Sequence, residues 1–424
     1  MLILLFSLTL LVTLGFGMRF PAIRGVMLTA WAVRMALLLI HHQIFVLLPG
    51  RSDARNFFHE AENFSQLGFS GALAEFTVSH STGFSALMGA MLSVFGQSIL
   101  VMELTNISMG LAIVALVYRL ALNCGADHSQ AKQAALIMAL VPSTAQYSIV
   151  ALREMILVLP FMLGLVALTA RRSHATASGM LLFAFWCSVS AMFHGGMILG
   201  IAGLGAGTFV FQMFASKLPG QPRPSLIRNL LLLALFIGMV SLGSGLVSEV
   251  GLSKVSEVGS GNLINQMNAA SLQAARGGSA YLQDFSVDNY GDVALSIPLR
   301  LIYFFFSPLP WDIRSAGHLL GFLDVLLYAF CFREFWRGYK ANALSPKVLM
   351  VLGVVMTIAL AYAFGSSNAG TAIRHRAKFS YALVAIACAS RSARWQRTAM
   401  SRTVVPARAL ASGRLLTRKS AQKA

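Results

Sequence analysis

The stretch VMLTAWAVRMALLLIHHQIFVLL, residues 26–48, followed after Pro49-Gly50 by RSDARNFFHEAENF, residues 51–64, decides the fold. Its first part is apolar for longer than the about 20 residues a helix needs to cross a bilayer. Arg34 interrupts it once, and His41-His42 lie near its end. Its second part is the first polar segment of any length in the chain, and it places Asp53, Glu60 and Glu62 where a membrane helix has just surfaced. Read as a helix, Phe57, Ala61 and Phe64 share one face, a spacing suited to lying on a bilayer surface. A carboxylate at the lip of a bilayer can act as a general base toward a substrate arriving from water or lipid. The plainer reading is a solvated loop with ordinary charges.

Outward from this stretch the same alternation recurs to both ends. The 424 residues are 57% hydrophobic and 11% charged, where a soluble protein carries about 25% charged residues. The class expected is therefore all-α, a polytopic transmembrane helical bundle of about 11 spans rather than a β-barrel. A net charge of +18 raises nucleic acid as a partner. The basic residues, however, sit in short loops between apolar runs and in a tail, which membrane topology explains and nucleic acid does not. Cys124, Cys187, Cys331 and Cys388 lie in or beside apolar runs without paired spacing, so neither a disulfide framework nor a metal knuckle is expected. Residues 1–17 are apolar with no basic residue before them, and Arg19 and Arg24 come after. This pattern predicts a retained first helix with its N-terminus outside.

Sidedness follows from where Lys and Arg collect. Residues 1–390 form one transmembrane domain with outer loops at 49–99, 249–314 and 365–378, and residues 391–424 form a basic cytoplasmic tail. Residues 82–96 are short for a span and are expected in the interface as a juxtamembrane helix of the first outer loop. Helix 4 is expected over 133–149, helix 5 over 155–170, helix 8 over 229–248 and helix 11 over 379–390. Residues 297–311, closed by Ser307-Pro308-Leu309-Pro310-Trp311-Asp312, read as a re-entrant or surface piece because two prolines break the helix. Under this topology nearly every carboxylate outside the helices lies on the outer face, Asp127 and Glu334 excepted, and the expected location is a bacterial inner membrane.

Three features converge on that face. One is Asp53 with Glu60 and Glu62. The second is Arg153-Glu154, charged residues between two apolar helices, which line an aqueous cavity or form a structural ion pair. The third is Arg374-His375-Arg376 with Lys378 at the mouth of helix 11. Positive charge there runs against the usual inside bias and calls for an anionic partner. A lipid phosphate or pyrophosphate fits, with phospholipid headgroup anchoring as the plain alternative. A carboxylate base beside a phosphate-binding basic cluster suits transfer from a phosphate-linked donor. No nucleotide-binding glycine loop, zinc motif or serine elbow is visible, and no metal ligand is assigned. Asp284, Asp288 and Asp292 repeat at helical spacing, but Asn289 and Gly291 favour a turn. His194 reads as a satisfied helix-end histidine, and His41-His42 as buried packing that can also line the cavity.

At this point the chain resembles the GT-C superfamily of membrane glycosyltransferases, which includes the protein O-mannosyltransferases and the lipid A aminoarabinose transferases. The resemblance rests on Asp53 followed by Phe57 and Ala61, on residues 81–96 ending in Phe95-Gly96, on Ala139-Leu140-Val141-Pro142 followed by Arg153-Glu154, and on the late basic cluster. It covers residues 25–175 and the end of the chain. Where the family often has an acidic pair, this chain has Asp53-Ala54. The resemblance implies that Asp53 is the catalytic base and that Glu60, Arg153 and Glu154 bind acceptor or donor. It also implies that Arg374, His375, Arg376 and Lys378 hold the lipid phosphate of a polyprenyl-phosphate sugar. A glycan or lipid-linked acceptor, membrane lipids and no nucleic acid are the expected partners. A lipid-linked polysaccharide polymerase and a lipid-linked sugar transporter stay open as alternatives.

Overall fold

The computed structural model describes residues 2–47, 52–78, 81–170, 176–215, 280–282, 289–313 and 316–420. Among them there is no strand, only an isolated bridge between Ala280 and Asn368, and fifteen α-helices carry the fold. They are α1 (Leu2–Arg19), α2 (Arg24–Gln43), α3 (Asp53–Ser65), α4 (Gly68–Ala74), α5 (Ser81–Phe95), α6 (Ile99–Asn123), α7 (His128–Leu140), α8 (Pro142–Ile149) and α9 (Glu154–Leu168). After these come α10 (Ala177–Phe193), α11 (Leu199–Ala215), α12 (Tyr290–Phe306), α13 (Ala316–Lys340), α14 (Pro346–Phe364) and α15 (Ala369–Ser420). The expected helix at 229–248, the basic loop residues Arg171, Arg172, Lys217, Arg223 and Arg228, and Asp284 and Asp288 lie outside the described residues.

Among the described residues three helices are long and apolar enough to cross a membrane, Pro21–Gln43, Ile99–Asn123 and Pro346–Phe364, which suits an integral membrane protein. The pair Pro142–Ile149 and Glu154–Leu168, bent by 116°, adds a fourth if it is one broken span. Other apolar helices, such as Ala177–Phe193 and Thr82–Phe95, are shorter than the about 20 residues a straight span requires. The run expected as one helix over 133–149 is two helices, because Pro142 has no N–H to continue α7 and instead opens α8. The piece expected to be irregular at 297–311 is helical through Phe306 with Pro298 inside, and only the Pro310–Asp312 turn follows.

The centre of the bundle is the first half of α15. From Arg376 to Ser390 every residue is buried, a pattern of helix apolar all round and enclosed by neighbours. It packs on α6, α7, α13 and α14. At the α11–α14 contact, small residues let backbones meet. A Cβ on Gly203 would lie 2.7 Å from the Val354 Cα, and one on Gly353 would strike the Gly207 Cα. In lipid, close packing of this kind, rather than burial from water, holds helices together.

The two ends of the bundle differ. At one end the basic loops gather. Lys347 donates to the Asn123 and Thr169 carbonyls at 2.9 and 2.7 Å, satisfying the ends of α6 and α9. Asp127 caps α7 by accepting from the Gln130 N–H at 2.8 Å and takes a further bond from Ser392 on α15. The Gln130 N–H is the main cause that holds the Asp127 carboxyl below the usual range. At the opposite end α3, α8, α9, α10 and α15 bring the site residues together.

Candidate functional site

The site is built on a helix break. Between α8 and α9 the chain leaves helical geometry at Val150, which is extended, and re-enters at Glu154. The freed carbonyls need donors, because irregular backbone at membrane depth persists only where it is satisfied by protein or water. Asn106, fully buried on α6, supplies both: its Nδ2 donates to Val150 O at 2.6 Å and to Leu152 O at 2.8 Å. The break therefore ends with Glu154 at the first position of α9, its side chain 1% exposed. A carboxylate there is favoured by the positive end of the helix dipole.

Asp53 occupies the same position on α3, first in the helix but half exposed. The apolar face of α3 does not lie free. Ala54, Phe57 and Ala61 are buried, and Phe57 meets Phe84 of α5 edge-on at 5.3 Å. A Cβ on Gly89 of α5 would come within 2.8 Å of the Ala61 carbonyl, so the two helices touch backbone to backbone. Glu60 turns toward α5 as well, its Oε2 accepting from Ser85 Oγ at 2.6 Å. Glu62 faces His59 at the surface.

Arg374 joins the two carboxylates. Its Nη1 donates to Asp53 and its Nε to Glu154, so one guanidinium spans from a buried acid to a solvent-facing one. Glu154 and Asp53 are separated from Arg374 by 220 and 321 positions in the chain. Lys378, one helical turn further along α15 and therefore on the same face, is buried and donates to His375 Nδ1 at 2.9 Å. Its ammonium lies 4.6 Å from the centre of the Tyr362 ring. His375 stacks flat on that ring at 4.2 Å, and the Tyr362 hydroxyl hydrogen-bonds His194 Nδ1 at 3.1 Å. His194 is the C-cap of α10, the helix-end position its sequence context suggested. Arg153 donates to the Phe193 carbonyl at 3.1 Å, which ties the break to the end of α10.

Three cations, Arg153, Arg374 and Lys378, thus face two carboxylates. The second oxygen of Glu154 is buried without a hydrogen bond. The basic side chains lie at the buried end of the cluster and Asp53 at its exposed end. Such a cluster suits an anionic group that also presents a hydroxyl.

Arg376 is placed elsewhere. Two residues from Arg374, it projects from the other side of α15. There it is fully buried and donates to the Phe304 and Phe305 carbonyls at 3.0 and 2.7 Å, closing the end of α12. Of the residues singled out in the sequence, Asp53, Arg153, Glu154, Arg374, His375 and Lys378 come together, while Glu60 and Arg376 serve neighbouring contacts. Asn106, His194 and Tyr362 complete the site. Asn106 and Tyr362 carry no signal in the sequence beyond a polar atom in an apolar run.

No protein family, curated protein or solved structure matches the chain. Its chemistry rests on this geometry.

Proposed function

We propose that the chain is a membrane glycosyltransferase. It moves a sugar from a polyprenyl-phosphate donor to a lipid-linked glycan or exopolysaccharide acceptor at the outer face of a bacterial inner membrane. The single observation that carries this reading is Arg374, which pairs with both Asp53 and Glu154 in a cluster shared with Lys378. The full polytopic topology of about 11 spans, with the N-terminus outside and the tail inside, belongs to the same proposal.

The donor phosphate is a stronger partner for a guanidinium than an exposed carboxylate, because it offers more acceptor oxygens and more charge. Its arrival at Arg374 and Lys378 displaces Asp53 from the arginine and frees it as base. Asp53 then takes the proton from the acceptor hydroxyl as that oxygen bonds to the anomeric carbon. The bond from that carbon to the phosphate oxygen breaks on the far face, with inversion. Arg374 and Lys378 stabilise the charge left on the phosphate. Glu154 holds Arg374 in place throughout, since its buried carboxylate has no access to the acceptor.

The test is sugar transfer by the purified protein in lipid from polyprenyl-phosphate donors, comparing wild type with Asp53→Asn. Loss of at least about a hundredfold in the folded variant supports base catalysis. Full activity in Asp53→Asn with loss in Arg374→Gln moves the polymerase alternative ahead. Passage of lipid-linked sugar across the bilayer without turnover identifies a transporter.

A further inference from the structure

Away from this cluster, a second polar group joins the last turn of α2 to the second turn of α6. Glu103 is 1% exposed, and among the described residues only His41 and His42 form ion pairs with it. His42 Nε2 lies 2.7 Å from Oε2, and His41 Nε2 lies 3.8 Å from Oε1. One donor atom from each of the three residues falls within 4.8 Å of the others. A buried carboxylate without a guanidinium or ammonium partner is a costly arrangement that a cation corrects.

We infer that His41, His42 and Glu103 form a binding site for a divalent first-row transition ion, with zinc as the best-matched member. Two imidazole nitrogens and one carboxylate oxygen are a ligand set of that class, and water completes the coordination. Bonds of about 2.0–2.2 Å place ligand atoms about 3–4 Å apart, so the observed 2.7 and 3.8 Å separations require only small adjustment. His42 is 31% exposed along its side chain and gives the ion an entry path.

Two hydrogen bonds oppose the ion. The Leu47 N–H donates to His41 Nδ1 at 3.1 Å, which leaves the ring proton on Nε2, the atom that would bind metal. On binding, that proton must leave Nε2, Nδ1 must become the protonated atom, and Leu47 must let go. The 2.7 Å hydrogen bond between His42 Nε2 and Glu103 Oε2 opens as well, and the proton it holds passes to solvent, so two hydrogen bonds are exchanged for three coordinate bonds and the balance favours the metal. The exchange also loosens the residues after α2, which lead to Asp53. The site stands independently of the proposed sugar transfer.

The experiment uses the full chain in lipid nanodiscs, stripped with chelator and titrated calorimetrically with zinc in two buffers of different ionisation enthalpy. The expected result is one ion per chain with release of about one proton or more. Glu103→Gln and His42→Gln should each weaken binding at least about tenfold. Absence of stoichiometric binding, or unchanged affinity in both variants, would show a histidine–carboxylate hydrogen-bond cluster only. Should Glu103→Gln fail to fold, the half-exposed His42→Gln and the wild-type proton release still decide.

Discussion

Asp53 and Glu154 share one arginine but differ in what surrounds them, and this separates catalysis from stability at the level of single residues. Glu154 is buried, and its removal leaves Arg374, Arg153 and Lys378 with too little negative charge around them. Breaking a buried pair costs about 3–5 kcal/mol, so Glu154→Gln is expected to lower stability by about 3 kcal/mol, Arg374 keeping Asp53 as a partner. Asp53 is half exposed, and water screens its side of the bridge. Asp53→Asn should therefore change stability by no more than about 1 kcal/mol. Thermal unfolding of both variants in the same nanodiscs checks the contrast. Equal and large losses would mean that Asp53 is scaffold, and its role as base would fall with that result. The same residues show what a sequence discloses. Arg374 and Lys378 are four apart and share a helix face, so their cooperation was legible once the segment was known to be helical. Arg376, two residues on, falls on the opposite face by the same geometry and caps α12 instead. It was grouped with Arg374 because residues 365–378 read as an outer loop. Asn368 in fact accepts from the Gly370 N–H at 2.8 Å and starts the helix there.

At the scale of elements, the break between α8 and α9 and the α11–α14 contact each depend on one or two small features. Asn106 donates to the Leu152 carbonyl and shares the Val150 carbonyl with the Leu152 N–H. An unsatisfied buried carbonyl costs about 1–3 kcal/mol, so Asn106→Ala, which strips the Leu152 carbonyl and weakens the hold on Val150, should destabilise by at least about 1 kcal/mol. It should also let Glu154 drift, so a cycle combining Asn106→Ala with Glu154→Gln should show a coupling of at least about 0.5 kcal/mol. Strict additivity would mean that the break holds its shape without Asn106. At the other contact, a methyl on Gly353 meets the Gly207 Cα, a backbone atom that cannot turn aside. Gly353→Ala should cost about 1–3 kcal/mol. Gly205→Ala, whose Cβ would enter open space, is the control and should cost much less. Hydropathy revealed both regions as apolar, since Ala, Val and Leu dominate each. It could not reveal the break, because the donor that permits it is a lone asparagine forty-four positions away from Val150.

For the whole molecule, charge decides orientation. Asp53 and the Arg374 cluster gather at one end, while Arg119, Lys132, Lys347 and Arg394 lie toward the other, where Lys347 and Asp127 tie α6, α7 and α9 to their neighbours. Under the proposed topology the positive-inside bias puts that second end in the cytoplasm. The alternation of apolar and basic segments made the helical class legible. The number of spans was not, because helices of 13 to 17 residues such as α7 and α10 are apolar yet short. The orientation has a direct test, since Cys124, Cys187, Cys331 and Cys388 are all buried and give little background to a thiol reagent. Asn56→Cys places a thiol on the exposed face of α3, three residues from Asp53, and Gln396→Cys places one on exposed α15 beyond the bundle. A membrane-impermeant maleimide is expected to label Asn56→Cys in intact cells and Gln396→Cys only after permeabilisation. The reverse pattern would put Asp53 in the cytoplasm, where a donor and acceptor presented at the outer face cannot meet it. The glycosyl-transfer proposal would then fail even though the geometry around Arg374 stood unchanged.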